Sequence, residues 1–129
     1  MCLFCDIAEG NIPSKKIYED ELVYAFLDIS QAEKGHTLVI PKKHYANILE
    51  VDDETLQHMI KVVRDLAKQI MEKMGAEGCN VLSNTNEVAG QSIMHFHFHI
   101  IPRYADDDLV IGFTSHEYDL DEIQHQICD

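Results

Sequence analysis

A chain of 129 residues, 46% hydrophobic and 26% charged, suits one globular domain with a proper core. No apolar run reaches the roughly 20 residues needed to span a bilayer, and the N-terminus lacks a signal pattern, so the chain reads as cytoplasmic. The net charge of −13 counts against a nucleic-acid or anionic-membrane surface, yet leaves room for one small phosphate ligand in a shielded pocket.

In chain order, residues 3–9 allow one or two helical turns that Gly10 stops, and Ile12-Pro13-Ser14 is a turn. Residues 17–19 and 22–28 read as two strands, with Glu19-Asp20-Glu21 as their hairpin. A polar loop over 30–35 leads to a third strand over 36–40, which Pro41 ends; 42–45 continue as a loop. Asp52 or Asp53 caps the one long helix, and Glu54 adds negative charge to its first turn. Leu56, Met59, Ile60, Val63, Leu66, Ala67, Ile70 and Met74 recur at helical spacing, opposite Lys61, Arg64, Asp65, Lys68 and Glu72, until Gly75. A fourth strand follows over 80–84, then a loop over 85–92. Asp106-Asp107-Asp108 is an acidic turn, and residues 119–128 form a short amphipathic helix.

The fifth strand is Met94-His95-Phe96-His97-Phe98-His99-Ile100-Ile101-Pro102-Arg103. A strand puts His95, His97 and His99 on one face and Phe96, Phe98 and Ile100 on the other; a helix would scatter both sets. Pro102 is expected to end its pairing. Strand neighbours two apart stand roughly 6.5–7 Å from each other. Sharing one Zn²⁺ at about 2.0–2.1 Å is then hard for three imidazoles, which favours a nucleophile with supporting groups. The whole is an α+β layout: an antiparallel five-stranded sheet with one long helix between its third and fourth strands and short terminal helices. No glycine-rich nucleotide fingerprint follows a strand, so a Rossmann or P-loop reading fails.

Other candidates need context. The loop from Asn84 to Ser92 can turn N–H groups toward an anion, with Gly90 and Ser92 beside His97, although such runs are commonly plain turns. Without a secretory signal, the four cysteines do not read as a disulfide framework. Cys2-x-x-Cys5 is either two small buried hydrophobes or, with His44 and His95, a closed tetrahedral zinc site. His36 at a strand start and Asp28 at a strand end are neutral alone. His58, His116 and His125 receive no role.

Together these segments resemble the histidine triad (HIT) family of nucleotide-binding hydrolases and transferases. His95-Phe96-His97-Phe98-His99-Ile100-Ile101 matches its defining alternation. Leu3-Phe4-Cys5-Asp6-Ile7, Ile12-Pro13-Ser14, Glu19-Asp20, the run from Ala25 to Ser30, the run from Gly35 to His44, and Gly90-Gln91-Ser92 look like its Hint branch. The likeness covers residues 2–103 in order, which implies a single HIT domain over 1–129 with a divergent tail over 104–129.

The resemblance implies that His97 attacks the α-phosphorus to form a nucleotidyl-histidine, that His99 contacts the phosphate, and that His36 supports the nucleophile. Ser92 would contact the phosphate or leaving group, Gly90 and Gln91 would line the same loop, and Asn84 would stand on the phosphate side. Asp28 would take the ribose hydroxyls, with Ile29, Phe4, Ile7, Ile12 and Phe26 forming an apolar slot for a purine base. Zinc-containing bacterial members imply a structural zinc on Cys2, Cys5, His44 and His95; no catalytic metal is required. The family implies a homodimer through the long helix and strand 80–84, and no nucleic-acid or membrane partner. The expected activity is hydrolysis of purine nucleoside phosphoramidates or related conjugates. The alternatives are dinucleoside polyphosphate hydrolysis, as in the Fhit branch, and a nucleotide-binding regulatory protein with vestigial turnover.

Overall fold

A computed structural model describes residues 2–129. The elements are α1 (Leu3–Ala8), β1 (Lys16–Glu19), β2 (Val23–Leu27), β3 (Thr37–Pro41), α2 (Asp53–Met74), β4 (Gly78–Leu82), β5 (Phe98–Arg103) and α3 (Leu120–Cys128), with a 3₁₀ turn at Glu87–Ala89. The strands form one antiparallel sheet in the order β1-β2-β3-β5-β4. This is the expected α+β architecture.

Alternation along the strands creates two cores. Val23, Ala25, Val39, Phe96, Phe98 and Ile100 face α2, where Met59, Val62, Val63, Leu66, Ala67 and Ile70 meet them. Tyr24, Phe26, Leu38 and Ile40 point the other way and pack with Phe4 and Ile7 of α1. Each fully buried large apolar side chain on these faces contributes roughly 1.5–3 kcal/mol. α2 is capped at its start by Asp52, whose carboxylate accepts the Thr55 N–H, and ends at Gly75 in the left-handed conformation (φ 70°). Its buried stripe differs from the periodicity in that Thr55 and Val62 are buried and Ile60 is 49% exposed, because the stripe facing the sheet runs through 59, 63, 66 and 70 with 62 at its margin.

Asp20 ties α2 to the β1–β2 hairpin. One carboxylate oxygen accepts the Leu22 and Val23 N–H groups at 2.8 and 2.9 Å; the other meets Tyr18 Oη at 2.7 Å and His58 Nε2 at 2.6 Å. Burial opposes ionisation of Asp20, and the hydrogen bonds outweigh it, holding the carboxyl at about 2.

β1, β2 and β3 sit within one residue of expectation, with Pro41 inside β3 and paired with Val23; β5 and β4 depart further. β5 begins at Phe98, so His95 and His97 precede the ladder and only His99 lies within it. The cause lies opposite, where β3 ends at Pro41, which has no N–H to continue pairing. Other partners take over: Phe96 N–H donates to Tyr45 O at 2.7 Å, and Ser83 Oγ donates to His97 O at 2.8 Å. The alternation of faces survives this, since Phe96 still packs under α2. Pro102 does not end the pairing; it pairs with Cys79 of β4, in a stretch past Ile100 that β3 no longer flanks. The fourth strand runs two residues earlier than expected, and Ser83 and Asn84 leave it for the loop.

After β5, Arg103 clamps the chain: its guanidinium donates to both Asp107 oxygens at 2.8 and 3.0 Å and to Asn80 Oδ1 at 2.8 Å. α3 is amphipathic, yet none of its residues is buried. No helix of the described residues is long and apolar enough to cross a membrane.

Candidate active site

The face of the sheet opposite α2 holds the chemistry. His97 is buried, and its Nδ1 lies 2.7 Å from the backbone carbonyl of His95. A carbonyl only accepts, so the ring proton sits on Nδ1 and the Nε2 lone pair is free. Phe4 of α1 packs edge-on against this ring, with centroids 5.1 Å apart. Burial lowers the His97 pKa from its ordinary value against the opposing pull of the His95 carbonyl and the Asp28 charge, which favours the neutral ring.

His99 and His36 form a second unit. His36 Nδ1 accepts the Ala32 N–H at 3.1 Å, which places the proton of a neutral His36 on Nε2. That nitrogen lies 2.9 Å from His99 Nδ1 and 3.6 Å from Asp28 Oδ2. His99 therefore accepts at Nδ1 and keeps its own proton on Nε2. Burial and the neighbouring His97 and His36 push the His99 pKa down to about 4, and burial lowers that of His36. Asp28, His36 and His99 also stand close enough together to resemble a metal site, but this tautomer directs a proton, not a lone pair, into the group. The direct partner of His36 is thus His99 and not His97.

His97 and His99 open onto a cavity of about 670 Å³, within the ordinary size of a small-molecule site. Nine expected residues line it: Phe4, Ile7, Ile12, Phe26, Asp28, Ile29, Ser92, His97 and His99. Four do not. His36 stands behind His99. Gln91 is buried, with its amide spent on Ala46 O, Ile93 O and the Asn86 N–H. Asn84 Nδ2 donates to Gly90 O at 3.4 Å, and Gly90 has φ 100° with Asn84 directly against it. These three shape the loop that presents Ser92. Sequence reasoning missed Lys15 and Leu38 in the wall. Period-two alternation on β3 could have found Leu38, since it shares a face with Ile40; nothing in the pattern marked Lys15.

At the edge of this site Cys2, Cys5, His44 and His95 come together. Cys2 Sγ and His95 Nδ1 are 3.2 Å apart, Cys5 Sγ lies 3.5 Å from Nδ1 of both His44 and His95, and the two Nδ1 atoms are 3.2 Å apart. A tetrahedral zinc with bonds of about 2.0–2.3 Å needs donors about 3.3–3.8 Å apart, and the group fits that spacing closely. His95 Nε2 donates to Pro41 O at 2.8 Å, which leaves Nδ1 as a lone pair facing the sulfurs. Without a cation, burial and the neighbouring Cys2, Glu9 and Asp6 push the Cys5 thiol up to about 11. Two sulfurs and two ring nitrogens thus converge in an arrangement that could hold a metal ion.

Known proteins bear on both features. A family model described as the HIT domain matches residues 9–106. The chain is 41% identical over 124 residues to the adenosine 5'-monophosphoramidase of Schizosaccharomyces pombe, covering 95% of this chain and 90% of that one. A crystal structure of a HIT family member from Bacillus subtilis superposes with a TM-score of 0.91 at 46% identity, over 98% of this chain and 94% of that one. A zinc-bound histidine triad family protein from Mycobacterium smegmatis gives a TM-score of 0.80 at 38% identity, over 84% and 79% of the two chains.

Proposed function

The chain belongs to the HIT domain family, and from that membership we propose that it is a nucleotide-binding hydrolase that cleaves the α-phosphate bond of purine nucleoside phosphoramidates or related nucleotidyl conjugates. The observation that supports this most is the tautomer of His97, whose Nδ1–H is committed to the His95 carbonyl and whose Nε2 lone pair stands at the cavity. His97 Nε2 attacks the α-phosphorus as the P–N bond to the leaving amine breaks, and the amine takes a proton from solvent as it leaves. Water then attacks the same phosphorus and returns a proton to solvent, the bond to His97 breaks, and the nucleotide and free imidazole are restored. His99 offers its Nε2–H to the phosphate, with Ser92 beside it, and His36 positions His99. Asp28 takes the ribose hydroxyls, and Phe4, Ile7, Ile12, Phe26 and Ile29 hold the base. Asn84, Gly90 and Gln91 fix the path of the Ser92 loop.

The test is turnover of adenosine 5'-phosphoramidate beside diadenosine polyphosphates, by wild type and His97→Ala. Hydrolysis of the phosphoramidate should collapse in the variant while AMP binding survives. Equal turnover in both proteins would sink the assignment. Preference for the dinucleotides would favour the Fhit-like alternative, and binding without turnover a regulatory one.

Cys2, Cys5, His44 and His95 are proposed to hold a structural zinc, supported by their donor spacing and by the zinc-bound relative. An ion held by these four side chains would pin the start of α1 to the segment preceding β5 and serve a structural role. A homodimer through α2 and β4 is proposed as well. β4 is a sheet edge, and Val81 on it and Ile60 on α2 are 45% and 49% exposed. Light scattering at micromolar concentration should give twice the chain mass. The HIT domain is taken to span 1–129, with 104–129 as its tail, in a cytoplasmic protein.

A further inference from the structure

Cys2 and Cys5 bracket the first turn of α1, and that turn is also a wall of the nucleotide cavity through Leu3 and Phe4. The Cys5 N–H donates to Cys2 Sγ at 3.4 Å, and the donor atoms of the group, both sulfurs included, lie within 4.8 Å of one another. Cys2 is the N-cap of α1 and Cys5 follows three residues on, so the two side chains leave the same helical turn toward one another, and the S–S bond of about 2.05 Å closes between neighbours on that turn. The sulfurs are reachable, because both cysteines are partly exposed and line an open cavity of about 600 Å³ beside the nucleotide pocket. Leu3, Ser92 and Ile93 belong to both cavities.

Two connections run from this pair to the nucleophile. Phe4 lies between the cysteines and packs edge-on against His97. His95 turns its ring Nδ1 to both sulfurs, at 3.2 and 3.5 Å, while its carbonyl accepts the hydrogen bond of His97 Nδ1–H, with Nδ1 at 2.7 Å. Whatever moves the sulfurs therefore moves the two groups that orient His97. We propose that Cys2 and Cys5 are a reversible thiol-oxidation site whose state sets the pose of His97. Its consequence for turnover rests on reading His97 as the nucleophile; its sulfur chemistry does not.

The co-reactant is a hydroperoxide. One sulfur attacks a peroxide oxygen, the O–O bond breaks, and a sulfenic acid and a molecule of water result. The second sulfur attacks the sulfenic sulfur, the S–O bond breaks, and hydroxide leaves as water with the proton of that thiol. Two thiols have then lost two electrons and two protons, one S–S bond has formed, and hydrogen peroxide has become two waters. A dithiol reductant reverses the change by exchange. A disulfide offers no thiolate, so oxidation also releases any metal the four residues hold. Cys79 on β4 and Cys128 on α3 lie outside the group.

The full-length protein, and a Cys79→Ser/Cys128→Ser variant, would be titrated with hydrogen peroxide. Four readouts follow the titration: peptide mass mapping, zinc released to a chromogenic chelator, the His97 imidazole resonances, and phosphoramidate turnover. A Cys2–Cys5 disulfide is expected in both proteins, with metal release and a shift of the His97 resonances in step with it. Turnover should fall about tenfold to hundredfold, the scale of a misplaced reacting group, and dithiothreitol should restore everything. In Cys5→Ser the His97 resonances should not respond to peroxide. Oxidation that bypasses the Cys2–Cys5 disulfide overturns the proposal, and so does a disulfide that leaves the His97 resonances unmoved. Because bond and resonance are read without turnover, an inactive protein would defeat the proposed activity alone.

Discussion

His36 Nε2 stands 2.9 Å from His99 Nδ1, and the Ala32 N–H on the far side of His36 decides which of the two carries the proton between them. The backbone of the loop before β3 thereby fixes the tautomer of a histidine on β5. His36→Ala removes this control and leaves the cavity wall intact, since His36 does not line it. The expected result is a kcat about tenfold to hundredfold lower with nearly unchanged AMP affinity, the usual effect of losing a supporting partner. Equal losses in kcat and in affinity, read by steady-state kinetics and calorimetry, would count against it.

The acid limb follows from His99. Its pKa is pushed from 6.5 to about 4 because burial disfavours the charged ring. Between those values the unfolded chain binds a proton that the folded chain refuses, so stability rises with pH across this window. The contribution is complete above the unfolded value and is lost as pH falls through about 4. Urea midpoints measured from neutral to acid pH should decline across that interval, and His99→Phe should flatten the slope. A slope unchanged in that variant would assign the effect elsewhere.

Metal analysis should find about one zinc per chain, as a closed four-ligand site requires. Stripping it with a strong chelator should lower Tm by at least about 4 °C, the shift produced by roughly 1 kcal/mol in a small domain. Nucleotide affinity should weaken along with it, because α1 supplies Phe4 and Ile7 to the cavity. A metal-free preparation with the same Tm and affinity would remove the zinc assignment.

Asp20→Asn gives a stability effect that should spare the chemistry. The carboxylate accepts from Leu22, Val23 and Tyr18 and pairs with His58 across the elements. Weakening this network should cost about 1–3 kcal/mol, the range for disturbing hydrogen bonds to a charged group. Turnover per folded molecule should stay at the wild-type level. Chemical denaturation checks the first part, and a burst-normalised rate the second.

Periodicity made much of this fold legible. The stripe from Met59 to Ile70 located α2, and the alternation of histidine with phenylalanine assigned opposite faces to His97 and Phe96. The end of pairing was harder to read, because it depends on the strand across the sheet: Pro41, 57 positions before Phe98, is what stops the ladder there. The partnership of His36 with His99 was equally hidden, since it turns on an N–H of Ala32 that no side-chain pattern encodes. Gln91 looked like a ligand by its place in the loop, and burial turned its amide inward to hold Asn86 at φ 72°.

The proton of His97 is taken by a main-chain oxygen, and every amino acid has one. Alanine at position 95 would delete an imidazole and keep the acceptor. The aim of the nucleophile is thus written into the path of the backbone, where a scan of side chains does not see it. Changes that bend the chain where Tyr45 holds Phe96 and Ser83 holds His97 can mis-set it without touching an imidazole. A loss of rate from substitutions at those distant positions would be the signature of a geometric inheritance rather than of a missing functional group.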